Sequence, residues 1–117
     1  MLKKFFMAAI VGMIICASVK AEAEDVYVGK SDATGWVCYI MTETINFYRE
    51  GDMFISSATL KMRDEYGTSH YLDYNFFDFR GVGVDVRFDN SQGYSGEVHP
   101  SDTPIEWGMY EVIRKRY

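Results

Sequence analysis

The chain has little of what catalytic or covalently braced proteins rely on. It holds two cysteines, two histidines and two prolines in 117 residues. Cys16 lies in the apolar N-terminal segment, so Cys38 is the one thiol of the remainder. A lone thiol forms no intramolecular disulfide, and stability must come from packing. Cys38 sits in "GWVCYIMT", an apolar run that predicts burial rather than reactivity. His70 and His99 are far apart, and neither His-x-x-x-His nor Cys-x-x-Cys occurs. That excludes the common metal-ligand spacings.

Other catalytic patterns are missing as well. No serine stands in Gly-x-Ser-x-Gly, the strained elbow that exposes a nucleophilic hydroxyl. "GVGVDV" resembles the start of a phosphate loop, but Val86 occupies the place of the third glycine and the context is a strand. Asp73 and Asp78 are five residues apart, so a strand places them on opposite faces and they do not converge for acid–base work. The residues point to no catalytic, cofactor-binding or metal-binding site, and the chain is read as a non-enzyme.

Positive charge is also scarce. The formal net charge is −5, and without residues 1–23 nine basic and 16 acidic side chains leave −7. Phosphate-backbone binding needs a basic footprint, so nucleic acid is excluded as a partner.

Only one long apolar run exists. Lys3 and Lys4 precede the stretch Phe5 to Val19, and small residues follow at Ala21 and Ala23. The run has the length of a signal-peptide core and is short for a membrane span. Residues 1–23 are read as a signal peptide cleaved after Ala23, with Ala21 as the alternative. Ile14 and Ile15 before Cys16 lack the small residue that lipid attachment requires. Residues 24–117 then form one exported domain, periplasmic or at the cell surface, with no further transmembrane segment.

What is present is a period of two. "DVYVGK" alternates, with Val26 and Val28 opposite Tyr27. "WVCYIMT" is apolar on both faces and reads as a strand, and "TINFYR" as a second, short one. "MFISSATLKMR" alternates with one wet side. In "SHYLDYNFFDF", Leu72, Tyr74 and Phe76 share a face, while Tyr71 shares the other with Asp73 and Asn75. The apolar phase changes at Phe76-Phe77, which predicts a bulge or bend there. "GVGVDVRF" places Val82, Val84, Val86 and Phe88 on one face, and "YSGEVHPSD" reads as a loop or short edge strand.

The last segment changes period. Ile105, Met109, Val112 and Ile113 make a helical stripe, although Gly108 interrupts it and a final strand is the competing assignment. Thr103, Pro104 and Glu106 match a capping box. The expected fold is mainly β, a small antiparallel sheet curled into a barrel or half-barrel, with a C-terminal α-helix.

The run "VYVGKSDATGWVCYIMTETI", followed by short antiparallel strands and a terminal "YEVIRKRY", resembles small exported bacterial proteins grouped around surface-adhesin protein E. The resemblance implies a binding role at the envelope, and no binding residue is carried over from it. The residues themselves suggest the same class. Tyr39, Tyr48 and Tyr71 are the candidate recognition surface, because tyrosine joins apolar area to a polar tip. The expected partner is a protein or a glycan. Inhibition of a cell-wall hydrolase such as lysozyme is one alternative. A structural envelope component that self-associates through a sheet edge or Cys38 is the other.

Overall fold

The computed structural model describes residues 24–79 and 85–116. The signal-peptide reading of residues 1–23 and the placement of Val82 and Val84 fall outside the described residues.

Among the described residues six strands follow one another as a meander: β1 (Asp25–Lys30), β2 (Val37–Glu50), β3 (Met53–Arg63), β4 (Ser69–Phe79), β5 (Arg87–Asn90) and β6 (Ser95–Glu97). Each is antiparallel to the next, and their order in the sheet is their order in the chain. The sheet curls into a half-barrel, and helix α1 (Pro104–Arg114) packs on its inner face, chiefly against β1 and β2.

Local chemistry makes the turns. Gly51 and Asp52 link β2 to β3, and Gly51 takes φ +61°, the sign that the first position of a II′ hairpin needs. Asp64 organises the β3–β4 loop by accepting the backbone N–H of Tyr66 and of Thr68, both at 2.9 Å. Asn90 does the same after β5 for Gln92 and Tyr94. These are side-chain mimics of a turn, and they explain why polar residues cluster between the apolar runs.

Alternation sorts the two faces. The inner face carries Cys38, Ile40, Ala58, Leu60, Leu72, Tyr74, Phe76 and Phe88, which close over Met109, Tyr110 and Ile113 of the helix. The outer face has no described element packed on it.

Three expectations are corrected. "WVCYIMT" and "TINFYR" are one strand, β2, interrupted by a bulge: four residues, Thr42 to Ile45, stand opposite the single residue Ala58. The Thr44 hydroxyl spans the gap, accepting from the Thr59 N–H at 2.8 Å and donating to the Met41 carbonyl at 2.6 Å. Second, no bulge occurs at Phe76-Phe77. The β3–β4 register is continuous from Met53↔Phe79 to Arg63↔Ser69. Strict alternation puts Asp78 inside, 1% exposed, where it accepts the Tyr110 hydroxyl at 2.5 Å. A buried acid with a hydrogen-bond donor is a core residue, so a polar side chain at this position marks no change of face.

Third, the capping box does not form. Thr103 is the N-cap residue, but its side chain makes no cap hydrogen bond. Its hydroxyl accepts from the His99 N–H at 2.7 Å and donates to the Glu97 carbonyl at 2.9 Å. Glu106 instead accepts the Tyr74 hydroxyl at 2.6 Å. Both side chains tie the helix to the sheet rather than to its own backbone. Gly108 belongs in the helix for a steric reason: a Cβ there would lie 2.8 Å from the Val28 carbonyl oxygen.

Candidate functional site

The outer face is built from rows of residues paired across strands. One row runs Tyr27, Tyr39, Lys61, Tyr71 over β1 to β4. Tyr27 and Tyr39 meet edge to face, with ring centroids 6.1 Å apart. The Lys61 ammonium lies 6.0 Å from the Tyr39 ring centroid and pairs with the Asp25 carboxylate. Tyr27 and Tyr71 remain 60% and 59% exposed, so more than half of each side chain is open to a partner. Lys61 is held in place between them by its charge partner and by the ring beside it.

Two of the three tyrosines expected from the sequence therefore lie in one row. Tyr39 is half-buried and Tyr71 exposed, separated by two strand spacings, roughly 9.5 Å. Tyr48 is also exposed on this face, but it stands opposite Ile55 in β3, six residues from Lys61 and so roughly 20 Å away along the strand. It joins a separate apolar end with Ile55 and Phe77. The bulge in β2 keeps it on the outer face while moving it far from Tyr39.

Between the two ends lies a polar zone at the bulge. A depression of about 380 Å³ lies there, its polar lining Thr44, Asn46, Ser57, Thr59, Asp73 and Asn75, with Ala58 and Tyr74 completing it. The Thr59 hydroxyl donates to Asp73 at 2.8 Å, and the Asn75 amide donates to Asp89 at 3.0 Å. Neither Asp73 nor Asp89 has a cationic partner among the described residues. Sequence reasoning placed Asp73 and Asn75 on the wet side of β4 without connecting them to a site. The bulge that gathers them with Thr44 has no signature beyond the lone Thr-Glu-Thr break in an apolar run. Tyr27 was legible as the odd residue out in "DVYVGK".

The titratable groups on the helix side serve the fold. Cys38 is 1% exposed, and burial pushes its thiol above the usual range. That disfavours the thiolate, the form that reacts with other thiols and disulfides. His70 stacks on Trp36, with centroids 4.4 Å apart, and its Nε2 meets the Asp64 carboxylate at 2.9 Å. His99 lies in the loop before α1, bonded to Ser101. Among the described residues, no three His, Cys, Asp or Glu side chains gather as a metal site would require. No helix among them is long and apolar enough to cross a membrane.

Comparison with protein-family models, with curated proteins and with solved structures gives no significant match.

Proposed function

We infer that the protein is an exported, non-catalytic binding protein of the cell envelope or surface, and that its partner meets the outer face of the sheet. The observation that carries this reading is the row Tyr27, Tyr39, Lys61, Tyr71. Rigid aromatic side chains supply contact area at low entropic cost, and their hydroxyl tips add directional bonds. Strands hold such a row more firmly than loops do. The N-terminal charge and hydropathy pattern supports export, as does the resemblance to the surface-adhesin protein E group.

The test uses the full chain, expressed and recovered in its exported form, then immobilised and exposed to envelope extract and to host-matrix proteins. The expected result is one reproducible partner that is lost when Tyr27, Tyr39 and Tyr71 are all changed to Ser. Retention of every partner by that variant removes the tyrosine row from the reading.

A second reading, inhibition of a basic cell-wall hydrolase such as lysozyme, is favoured by the net charge of −7 over residues 24–117 and by Asp73 and Asp89 on the same face, which have no cationic partner among the described residues. Lysozyme turnover measured with and without excess protein decides it, and an unchanged rate excludes it.

A further inference from the structure

We propose that the depression at the β2 bulge, together with Tyr71, is a glycan site that takes one neutral hexopyranose of an extended β-linked chain. The proposal rests on the outer face of the sheet being the binding surface.

The shape comes first. A bulge by itself bends a strand and strengthens its twist. Here four residues of β2 stand against one of β3, and the gap opens a hollow of about 380 Å³. That is near the lower limit for small-molecule sites. The hollow is open to solvent rather than enclosed, so it suits one unit within a chain rather than a sequestered ligand.

The lining chemistry is that of a polyol site. Thr44, Asn46, Ser57, Thr59, Asp73 and Asn75 bring hydroxyl, amide and carboxylate groups to one place. A sugar presents adjacent hydroxyls that both donate and accept, and planar carboxylates and amides address two of them at once. The two central groups are already oriented. Thr59 holds one oxygen of Asp73, leaving the other free of partners among the described residues. Asn75 is held through its amide N–H to Asp89, and its carbonyl oxygen remains available.

Stacking area adjoins this hollow. Tyr71 is two residues from Asp73 on the same face, roughly 6.6 Å along the strand. The C–H edge of a pyranose carries slight positive charge and meets the electron-rich face of an aromatic ring favourably. Tyr39 stands two strand spacings from Tyr71 in the same row, where a chain running across the strands would carry its next units. Charge completes the choice. Lys61 is committed to Asp25, and the carboxylates of Asp73 and Asp89, which have no cationic partner among the described residues, repel uronates, sulfates and other anionic sugars.

The exported form is titrated calorimetrically with four soluble tetrasaccharides: β-1,4-linked glucose, β-1,4-linked N-acetylglucosamine, α-1,4-linked glucose and a glucuronate-containing hyaluronan fragment. At least one neutral β-linked chain is expected to bind, and the α-linked and anionic chains to bind about tenfold more weakly or not at all. Asp73→Asn keeps the side-chain shape and removes a charge-assisted bond, so it should weaken binding about tenfold at unchanged thermal stability. Tyr71→Ala should weaken it by a similar factor. No binding of either neutral β-linked chain overturns the proposal, as does binding that both variants leave intact. If no tetrasaccharide binds while the envelope partner is still lost from the tyrosine variant, the glycan inference falls and the wider binding reading stands. If that variant keeps its partners too, both fall.

Discussion

The Tyr110 hydroxyl donates to the Asp78 carboxylate at 2.5 Å in the centre of the core, with both residues 1% exposed. Asp78 is carried by the longest regular ladder of the sheet and Tyr110 by the helix, so one polar contact joins the two layers. A second contact, from Tyr74 to Glu106, has the opposite sense: the sheet donates and the helix accepts. Donors and acceptors must both match, which sets the position of the helix along β4 more strictly than apolar packing alone.

Removing one partner of the inner contact leaves a buried carboxylate short of a donor. Tyr110→Phe should therefore destabilise by about 1–3 kcal/mol, despite its near-identical volume. For a domain of this size that is a fall of roughly 4–8 °C in Tm per kcal/mol. Asp78→Asn keeps an acceptor and removes the charge, so its loss should be smaller. Thermal melts of the two variants compare them directly.

Alanine is a better helix former than glycine by about 1 kcal/mol, yet Gly108→Ala should lose stability. The added Cβ would stand 2.8 Å from the Val28 carbonyl oxygen and 3.1 Å from the Val28 Cβ. Backbone at that distance has no rotamer by which to escape. Overpacking of this kind costs typically 1–3 kcal/mol, which outweighs the propensity gain. Urea unfolding should show a lower midpoint with an unchanged slope.

Ser56 presents the reverse case. It is 2% exposed on the inner face, opposite Phe47 and Phe76, and its hydroxyl has no hydrogen-bond partner among the described residues. Ser56→Ala removes an unsatisfied buried polar atom at little change in volume. It should be neutral or stabilising by up to about 1 kcal/mol, read from the same urea curves.

Stability should fall at both ends of the pH scale for identifiable reasons. The hydrogen bond from His70, followed by the backbone N–H groups of Thr68 and Tyr66, holds Asp64 below the ordinary carboxylate range. The native carboxylate stays ionised where the unfolded one takes a proton. Its contribution is complete above about pH 4 and is lost as pH drops further. Tyr74 moves the other way, because burial and then the neighbouring Glu106 raise it. The native hydroxyl keeps its proton where the unfolded one ionises, so its contribution holds below about pH 10 and drains above that. Urea midpoints against pH should flatten on the acid side in Asp64→Asn and on the alkaline side in Tyr74→Phe.

Much of this architecture could be read in the chain because alternation is a local signal. "MFISSATLKMR" and the first half of "SHYLDYNFFDF" declare their inner faces residue by residue, and the terminal stripe declares a helix. What escaped depends on partners far away in sequence. Asp78 looks like surface until Tyr110, 32 residues on, is seen to donate to it. Thr103 and Glu106 satisfy a local capping pattern, but Glu97, His99 and Tyr74 compete for them and win. Gly108 weakens a helix in isolation and becomes necessary only beside Val28. The candidate site was half visible for the same reason. Tyr39 and Tyr71 show their face by parity, whereas the hollow exists only because β2 slips against β3 at Ala58.

The contact between α1 and β1 has a consequence for assembly. A meander pairs each strand with the one before it in the chain, so the sheet can grow in sequence order. The first strand nevertheless stays uncovered on its inner side until the last element arrives, since Ile105 and Gly108 are what close over Gly29 and Val28. The core is thus sealed by its final segment. Until residues 104–114 are in place, that core has no finished interior.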